Sequence, residues 1–176
     1  DIVVYGKTIA NGIPMAAIIG KKKIMSLALK TFISSSFWSE RIGPACALTF
    51  IRKHRRLNLG KKLDIIGLKI KKVWKNAARN NNLEIEINGI NPLATFKLKS
   101  KNWPDTITYF NQEMLKKNIL ASDRCYANLK HNDKSIKIYE NACEEIFRKI
   151  SNLEKKGILK KKLEGPVKQM GFKRLT

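Results

Sequence analysis

Hydrophobic residues in the first part of the chain form two short runs that predict β-strands. Residues 2–5 are apolar at odd and even positions alike, which is typical of a strand covered on both faces of a parallel sheet. Residues 15–19 form a second such run. A short polar helix and a longer helix reaching Arg56 follow, and Ser39 is the candidate N-cap of the longer one. This order of elements is typical of an α/β sheet domain.

The clearest periodicity lies in residues 58–82, where apolar side chains recur at steps of three and four. This spacing predicts one amphipathic helix with its lysines on the solvated face. Residues 83–88 and 93–98 then predict a β-hairpin, and the alternation of Glu and Ile in its first strand indicates one wet face.

The last third of the chain predicts two helices with short strands between them. One helix covers residues 104–117, and the other runs from its candidate cap, Asp133, to about Lys156. Residues 119–122 and 126–129 predict the short strands. This order indicates a small α+β domain.

The predicted elements divide the chain into two regions. Residues 1–57 are interpreted as the C-terminal end of a large parallel-sheet domain with its connecting helix. Residues 58–176 are interpreted as a small α+β domain that follows it. The first strand begins without a cap or polar lead, so we expect the 176 residues to be a piece of a longer chain.

The chain is strongly basic, since 36 Lys and Arg residues against 14 Asp and Glu residues give 36 − 14 = +22. A charge of this size is often the footprint of a nucleic-acid-binding protein. However, 28 of the 36 cations are Lys and the chain carries 15 Asn, which is typical of AT-rich codon usage. Proteins that read bases and phosphates favour Arg. Nucleic acid is therefore disfavoured as a partner.

Hydropathy and cysteine usage exclude further classes. The longest apolar run, residues 15–19, is far shorter than the roughly 18 to 20 residues that span a membrane, so no membrane partner is expected. Cys46, Cys125 and Cys143 form neither a disulfide framework nor a metal-ligand cluster, so no metal is expected. Scattered cysteines of this kind favour a cytoplasmic location.

Lys7 directly follows the first predicted strand, at the position where open parallel sheets gather ligands and chemistry. A lysine there can act as a nucleophile if its surroundings lower the pKa of its amine. In a chain with 28 lysines, the alternative is an ordinary solvated charge.

The residues around Lys7 carry a resemblance to a known family. Residues 1–20 read DIVVYGKTIANGIPMAAIIG and resemble the cofactor-lysine segment of class III aminotransferases, with an acidic residue, Gly-Lys-Thr, a turn with Gly and an apolar strand ending in Gly. Residues 34–44, SSSFWSERIGP, resemble the segment before the family's long helix. Residues 163–167 and 171–176 are similar to the tails of aminomutase-like members, and the nearest branch resembles glutamate-1-semialdehyde 2,1-aminomutase.

The resemblance implies the fold-type I fold and the cofactor pyridoxal 5′-phosphate. It implies that Lys7 binds this cofactor covalently and moves the proton between the substrate Cα and the cofactor C4′. Ser36 matches the family's phosphate-binding hydroxyl, with Ser35 as the alternative in a shifted register. In the family this hydroxyl reaches the cofactor of the other subunit, which implies a homodimer with shared active sites. The alternative is that these serines form a flexible loop.

The resemblance covers only the C-terminal half of such an enzyme. The Asp for the pyridine nitrogen, the stacking aromatic residue and the main phosphate loop would precede Asp1. We therefore expect a fragment that is inactive in isolation and forms no stable, specific adduct at Lys7. The competing hypothesis is a truncated module that pairs with another chain. The substrate class implied is an amino acid or amino sugar, and mutase and transaminase chemistry both stay open.

Overall fold

Two antiparallel strands, β1 (Ile2–Tyr5) and β2 (Ala17–Gly20), open the computed structural model. The structure describes residues 1–34, 36–37 and 39–171. It divides into two units, Asp1–Leu59 (unit 1) and Gly60–Thr176 (unit 2). The sequence-predicted boundary lies after residue 57.

The pairing of β1 with β2 corrects the prediction of a parallel arrangement. Ile2 is opposite Gly20, and Tyr5 is opposite Ala17. The eleven residues between the strands are too few for the crossover that parallel neighbours need, which takes about a dozen residues or more. The side chain of Val4 is 65% exposed. The prediction that β1 is covered on both faces is therefore also wrong for this chain.

Two helices complete unit 1: α1 (Lys22–Ala28) and α2 (Ile42–Leu57). The N-cap of α2 is Arg41, whose side chain makes no capping hydrogen bond. Ser39 lies before the cap position, so its predicted capping role is wrong. Asn58 ends the helix in the left-handed conformation, with φ +48°, which asparagine tolerates better than most residues.

The long helix α3 (Leu59–Asn80) confirms the predicted amphipathic helix. Ile70, Val73 and Ala77 of the predicted stripe are buried, and Trp74 widens the buried face. The lysines that the pattern placed off this stripe are exposed: Lys61, Lys62, Lys69, Lys72 and Lys75. Burial of the apolar stripe, with charges left in water, stabilises a helix of this length.

The sheet of unit 2 has three antiparallel strands in the order β3 (Ile85–Asn88), β4 (Leu93–Leu98) and β5 (Arg124–Tyr126). The first two form the predicted hairpin, turned at Gly89 with φ +78°. The strand predicted at residues 119–122 is wrong, and the one predicted at residues 126–129 shares only Tyr126 with the observed strand. A single three-residue strand, β5, forms here, because pairing with β4 selects Arg124–Tyr126.

Two more helices of unit 2, α4 (Trp103–Lys116) and α5 (Asp133–Lys155), pack against each other. The cap of α5 is Asn132 and not the predicted Asp133. The Asn132 Oδ1 accepts a hydrogen bond from the Ser135 N–H at 2.9 Å, which satisfies one of the free donors of the first turn. A 3₁₀ turn, Leu159–Lys162, follows.

Four aromatic side chains form the centre of the unit 2 core. Phe96 lies in the middle, with ring centroids at 4.8 Å from Trp74, 5.4 Å from Phe110 and 5.9 Å from Phe147. None of the four is more than 3% exposed. The indole N–H of Trp74 donates to the Tyr139 hydroxyl at 2.7 Å, so burial leaves no polar atom of the ring unpaired. This core joins α3, α4 and α5 to the sheet.

Candidate functional site

Lys7 lies two residues beyond the end of β1, at the first position of the 3₁₀ turn Lys7–Ile9. Its φ is +54°, in the left-handed region that non-glycine residues seldom adopt. Backbone conformations of this kind are concentrated at functional sites. The structure therefore places Lys7 where the sequence predicted, in an unusual local conformation.

The turn that carries Lys7 is held by a backbone hydrogen bond and by packing against α2. The Ile9 N–H donates to the Gly6 carbonyl at 3.4 Å, and the turn packs against α2. Ala10, at the end of the turn, is 1% exposed. Lys7 itself is exposed, and a Cβ at Gly6 would meet no atom within 4 Å. The turn is anchored through Ala10, while the lysine side chain stays accessible.

Unit 1 places no carboxylate on the Lys7 amine. Its two acidic residues are Asp1 and Glu40, and the Asp1 carboxylate binds the Lys21 amine at 2.6 Å. Among the residues that the structure describes, Lys7 makes no ion pair and no side-chain hydrogen bond. A lysine amine attacks an aldehyde only after it has lost its proton, and no carboxylate of unit 1 is bound to Lys7 to hold that proton in place.

Ser36 lies in a turn between α1 and α2 and is exposed. Ser35, the alternative in a shifted register, lies outside the described residues. Ser36 precedes Ile42, the first residue of α2, by six positions. It is therefore not at the helix N-terminus, and the general affinity of helix N-termini for anions does not by itself support a phosphate site here. No hydrogen bond within the described part of the chain joins Ser36 to Lys7.

A cavity of about 560 Å³ opens in unit 1 next to the start of α2. Its wall contains residues 14–16, Phe37 and Glu40, together with Gly43 and Pro44. A Cβ on Gly43 would lie 3.3 Å from Met15, so the two segments are in close contact. Glu40 supplies the carboxylate of this wall. Sequence reasoning gave no role to this cavity, because residues 14–16 and α2 are distant in sequence.

The cysteines of unit 2 are poor candidates for nucleophiles. Burial raises the pKa of the Cys143 thiol, and burial also raises that of Cys125. A reactive thiol needs a lowered pKa, because the thiolate is the nucleophile.

No group of three or more His, Cys, Asp or Glu side chains able to hold a metal ion occurs in residues 1–34, 36–37 and 39–171.

Neither histidine occupies a catalytic arrangement. The ring of His54 contacts Phe50, with centroids 5.9 Å apart, near the end of α2. His131 pairs with the Asn128 amide at 3.2 Å in the loop before α5.

None of the described helices is both long and apolar enough to cross a membrane.

Comparison with known proteins gives a weak sequence match. No family model matches the chain. An aminopentol aminotransferase of Sphingopyxis macrogoltabida is 27% identical over 89 residues. The match covers 51% of this chain and 21% of that protein.

Solved structures give a closer match in three dimensions. The FumI protein of Sphingopyxis sp. MTA144, in its PLP internal aldimine form, superposes with a TM-score of 0.77 at 19% identity over 87% of this chain. An ω-transaminase from Sphaerobacter thermophilus gives 0.76 at 14% identity over 86%. A transaminase with PLP bound gives 0.73 at 18% identity over 88%. The chain has the fold of part of a transaminase.

This transaminase fold confirms the predicted fold class, an α/β chain with the architecture of the C-terminal part of a fold-type I transferase. The chain spans 37 to 39% of the length of these structures and about a fifth of the aminotransferase it matches in sequence. Most of a transaminase-sized chain therefore has no counterpart in these 176 residues.

Proposed function

We propose that this chain is the part of a pyridoxal-phosphate-dependent aminotransferase that carries the cofactor lysine, Lys7. The observation that supports this most directly is an accessible lysine with φ +54°, placed directly after a strand in a chain with the fold of part of a transaminase. Of the 27 other lysines, none among the residues described has a positive φ.

In the proposed reaction each site residue has a distinct task. Lys7 would hold the cofactor through its Nζ, and its amine, once released, would move the proton from the substrate Cα to the cofactor C4′. Ser36, or Ser35 in the shifted register, would donate a hydrogen bond to a cofactor phosphate. The cofactor in question is the one bound by the second subunit. Pyridoxal phosphate, when bound, supplies the electron sink for amino-group transfer.

The rest of the pocket comes from polypeptide outside these 176 residues. Only Ala10, Gly43 and Ala47 are buried among the described residues of unit 1. The apolar side chains of β1, by contrast, are about half exposed or more. A sheet of this composition is stable when further layers cover it. We propose that the covering polypeptide also supplies the groups that bind the pyridine ring.

The finer assignment follows the sequence resemblance. We propose a class III enzyme that acts on an amino acid or amino sugar, either as a transaminase or as a glutamate-1-semialdehyde 2,1-aminomutase-like isomerase. We further propose a cytoplasmic homodimer with active sites shared between subunits. Glu40 and Arg41 depart from the small-residue and proline pattern of ordinary family members, so the resemblance leaves the identity of the substrate open.

The test is trapping of the cofactor on lysine. The complete natural gene product, purified from its own host, is incubated with pyridoxal phosphate, reduced with borohydride and mapped by mass spectrometry. We expect the label at Lys7, abolished by Lys7→Arg and unchanged by Lys30→Arg, which alters another exposed lysine of unit 1. Labelling spread evenly over the exposed lysines, with no effect of Lys7→Arg, would contradict the proposal.

The same experiment on the 176-residue chain distinguishes the competing hypothesis of an inactive module. We expect no preference for Lys7 in this chain, because the groups that bind the ring and most of the phosphate are supplied from elsewhere. A natural gene product that shows no Lys7 label and no amino transfer, yet binds a second protein, would support the inactive module. Specific labelling of the short chain at Lys7 would show that these 176 residues hold the cofactor without further polypeptide.

A further inference from the structure

The strand β5 has one free edge. In the ladder with β4, the Phe96 N–H donates to the Asp123 carbonyl and the Ala127 N–H donates to the Pro92 carbonyl, each at 2.9 Å. Alternate residues of an antiparallel strand direct their backbone groups to opposite sides. The N–H and C=O groups of Arg124 and Tyr126 therefore face away from β4. Within residues 39–171 these four groups make no hydrogen bond.

A cavity of about 660 Å³ runs along this free edge. Three consecutive residues, Arg124–Tyr126, line it. Side chains of a strand alternate between its two faces, so three successive residues line one cavity only where that cavity follows the strand edge. The walls are mostly apolar, with Ile119 and Ala121 before β5, and Ile136 and Tyr139 from the first turns of α5.

The rim of the cavity exposes large apolar side chains. Leu120 is 92% exposed, Tyr126 is 66% exposed and Ile138 is 53% exposed, and all three line the cavity. Isolated exposed apolar residues are ordinary on protein surfaces, whereas a group of them around a cavity marks an interaction surface. Apolar contacts and free backbone groups thus lie side by side.

The charges around the cavity favour an acidic ligand. Lys130 is the chain neighbour of the lining residue His131, Lys134 is that of the lining residue Ser135, and neither lysine forms an ion pair among the described residues. The nearby acids are already matched: Asp133 binds Lys69 at 2.5 Å, and Asp123 lies 3.1 Å from Arg124. Glu140 pairs with Lys137 at 2.7 Å. The free charge beside the cavity is therefore positive.

We propose that the free edge of β5 and the cavity beside it bind an extended peptide strand whose apolar side chains are flanked by carboxylates. The backbone of this peptide pairs with Arg124 and Tyr126. One of its apolar side chains fills the cavity, and its carboxylates lie near Lys130 and Lys134. Addition of a strand to a sheet edge in this way obtains affinity from main-chain hydrogen bonds and selectivity from the pocket. The proposal does not depend on the assignment of Lys7.

The probe is a fluorescein-labelled peptide Glu-Val-Thr-Val-Thr-Glu, titrated by fluorescence anisotropy into the 176-residue protein. We expect saturable binding that is lost when alternate peptide amides are N-methylated, because N-methylation removes the strand-pairing donors. Replacing both Glu by Lys should weaken binding as well. Hydrogen exchange should show new protection at the Arg124 and Tyr126 amides. Equal binding of the N-methylated peptide would overturn the proposal.

Two variants at one position separate edge pairing from side-chain effects. Tyr126→Pro removes an outward N–H and leaves the ladder bonds to β4 intact, since proline is tolerated on edge strands. Tyr126→Ala removes the aromatic side chain as well but keeps the N–H. We expect Tyr126→Pro to weaken peptide binding about five- to tenfold relative to Tyr126→Ala, from the loss of one hydrogen bond. Circular dichroism verifies that both variants stay folded.

Three further outcomes would overturn the proposal. The first is equal binding by the proline and alanine variants. The second is no binding of the probe peptide at any accessible protein concentration. The third is self-association of the protein that Tyr126→Pro abolishes, because the edge would then be occupied by a second copy of this chain.

Discussion

The two units of the chain differ in where their apolar side chains go. Unit 2 buries a cluster of four aromatic rings centred on Phe96, whereas unit 1 leaves Val4 65% and Ile18 58% exposed. Burial of an apolar side chain contributes roughly 1.5–3 kcal/mol, so the described residues of unit 2 gain far more from burial than those of unit 1. The proposed cofactor lysine lies in the unit with little core, and the proposed peptide edge lies in the unit with the large core.

The largest expected effect comes from the core of unit 2. Phe96→Ala should destabilise unit 2 by about 3–5 kcal/mol, because it removes the ring that contacts four other aromatic rings. The matched truncation in unit 1, Val4→Ala, should change the free energy of unfolding by less than about 0.5 kcal/mol. Urea unfolding followed by circular dichroism measures both. A loss from Val4→Ala as large as that from Phe96→Ala would show that unit 1 has a core after all.

The next largest effect is expected from replacing one close-packed glycine in each unit by alanine. A Cβ on Gly67 would lie 1.8 Å from the Asn91 carbonyl oxygen, a backbone atom that cannot move aside without shifting the hairpin turn. In unit 1, a Cβ on Gly43 would meet the flexible side chain of Met15 at 3.3 Å. Gly67→Ala should therefore lower the free energy of unfolding by about 1–3 kcal/mol, despite the better helix propensity of alanine.

Gly43→Ala should lower the free energy of unfolding clearly less than Gly67→Ala, because a methionine side chain can change rotamer. Thermal unfolding measures both variants. If the two substitutions lowered the melting temperature equally, the close approach of the hairpin turn to α3 would not be a determinant of stability.

A smaller effect concerns the ion-pair cluster between α4 and α5. Burial raises the pKa of Glu113, but hydrogen bonds from Lys116, Lys149 and Gln112 outweigh burial and lower the pKa to about 2. A carboxyl with a lowered folded-state pKa stabilises the fold above its unfolded pKa, and this contribution is lost as pH falls. The stability should therefore decrease between about pH 4.5 and pH 2.

The variant Glu113→Gln isolates this contribution. It should lower the stability at neutral pH by about 1–2 kcal/mol, discounted because both lysines are partly exposed. It should also flatten the dependence on pH in the acidic range. Denaturant unfolding at several pH values measures both effects, and an unchanged acid slope in Glu113→Gln would assign the pH dependence to other carboxylates.

The smallest effect distinguishes the two candidate caps of α5. Asn132→Ala removes the acceptor of the Ser135 N–H and should cost about 1 kcal/mol. Asp133→Ala leaves that hydrogen bond in place and removes an exposed charge, so its cost should be smaller. The reverse order in thermal unfolding would restore Asp133 as the cap.

The sequence predicted best the elements whose signal is local. The amphipathic helix α3 follows from the spacing of Ile70, Val73 and Ala77, and the hairpin follows from two short strand patterns around Gly89. The position of Lys7 after a strand also follows from local pattern. Fine local choices were harder: an exposed Asn132 and its neighbour Asp133 have similar capping propensities, so the hydrogen bond that forms depends on the loop before the helix.

The pairing of β1 with β2 and of β5 with β4 was not predicted from the pattern. The composition of an apolar run such as β1 is the same for a parallel and an antiparallel neighbour, and the short link to β2 excludes a parallel pair only once the two strands are known to be neighbours. The three-residue strand β5 is too short to show a period, and its register is set by contact with β4. The cavities beside α2 and β5 join segments distant in sequence and could not be predicted for the same reason.

The sequence by itself determined the helices of unit 2, the basic charge and a lysine after the first strand, because each depends on neighbours within a few residues. The tertiary structure alone decided which strand edges are free, which apolar side chains stay exposed and how the backbone at Lys7 is held, with φ +54°. These properties depend on contacts between distant segments, whose free energy is absent from any local pattern.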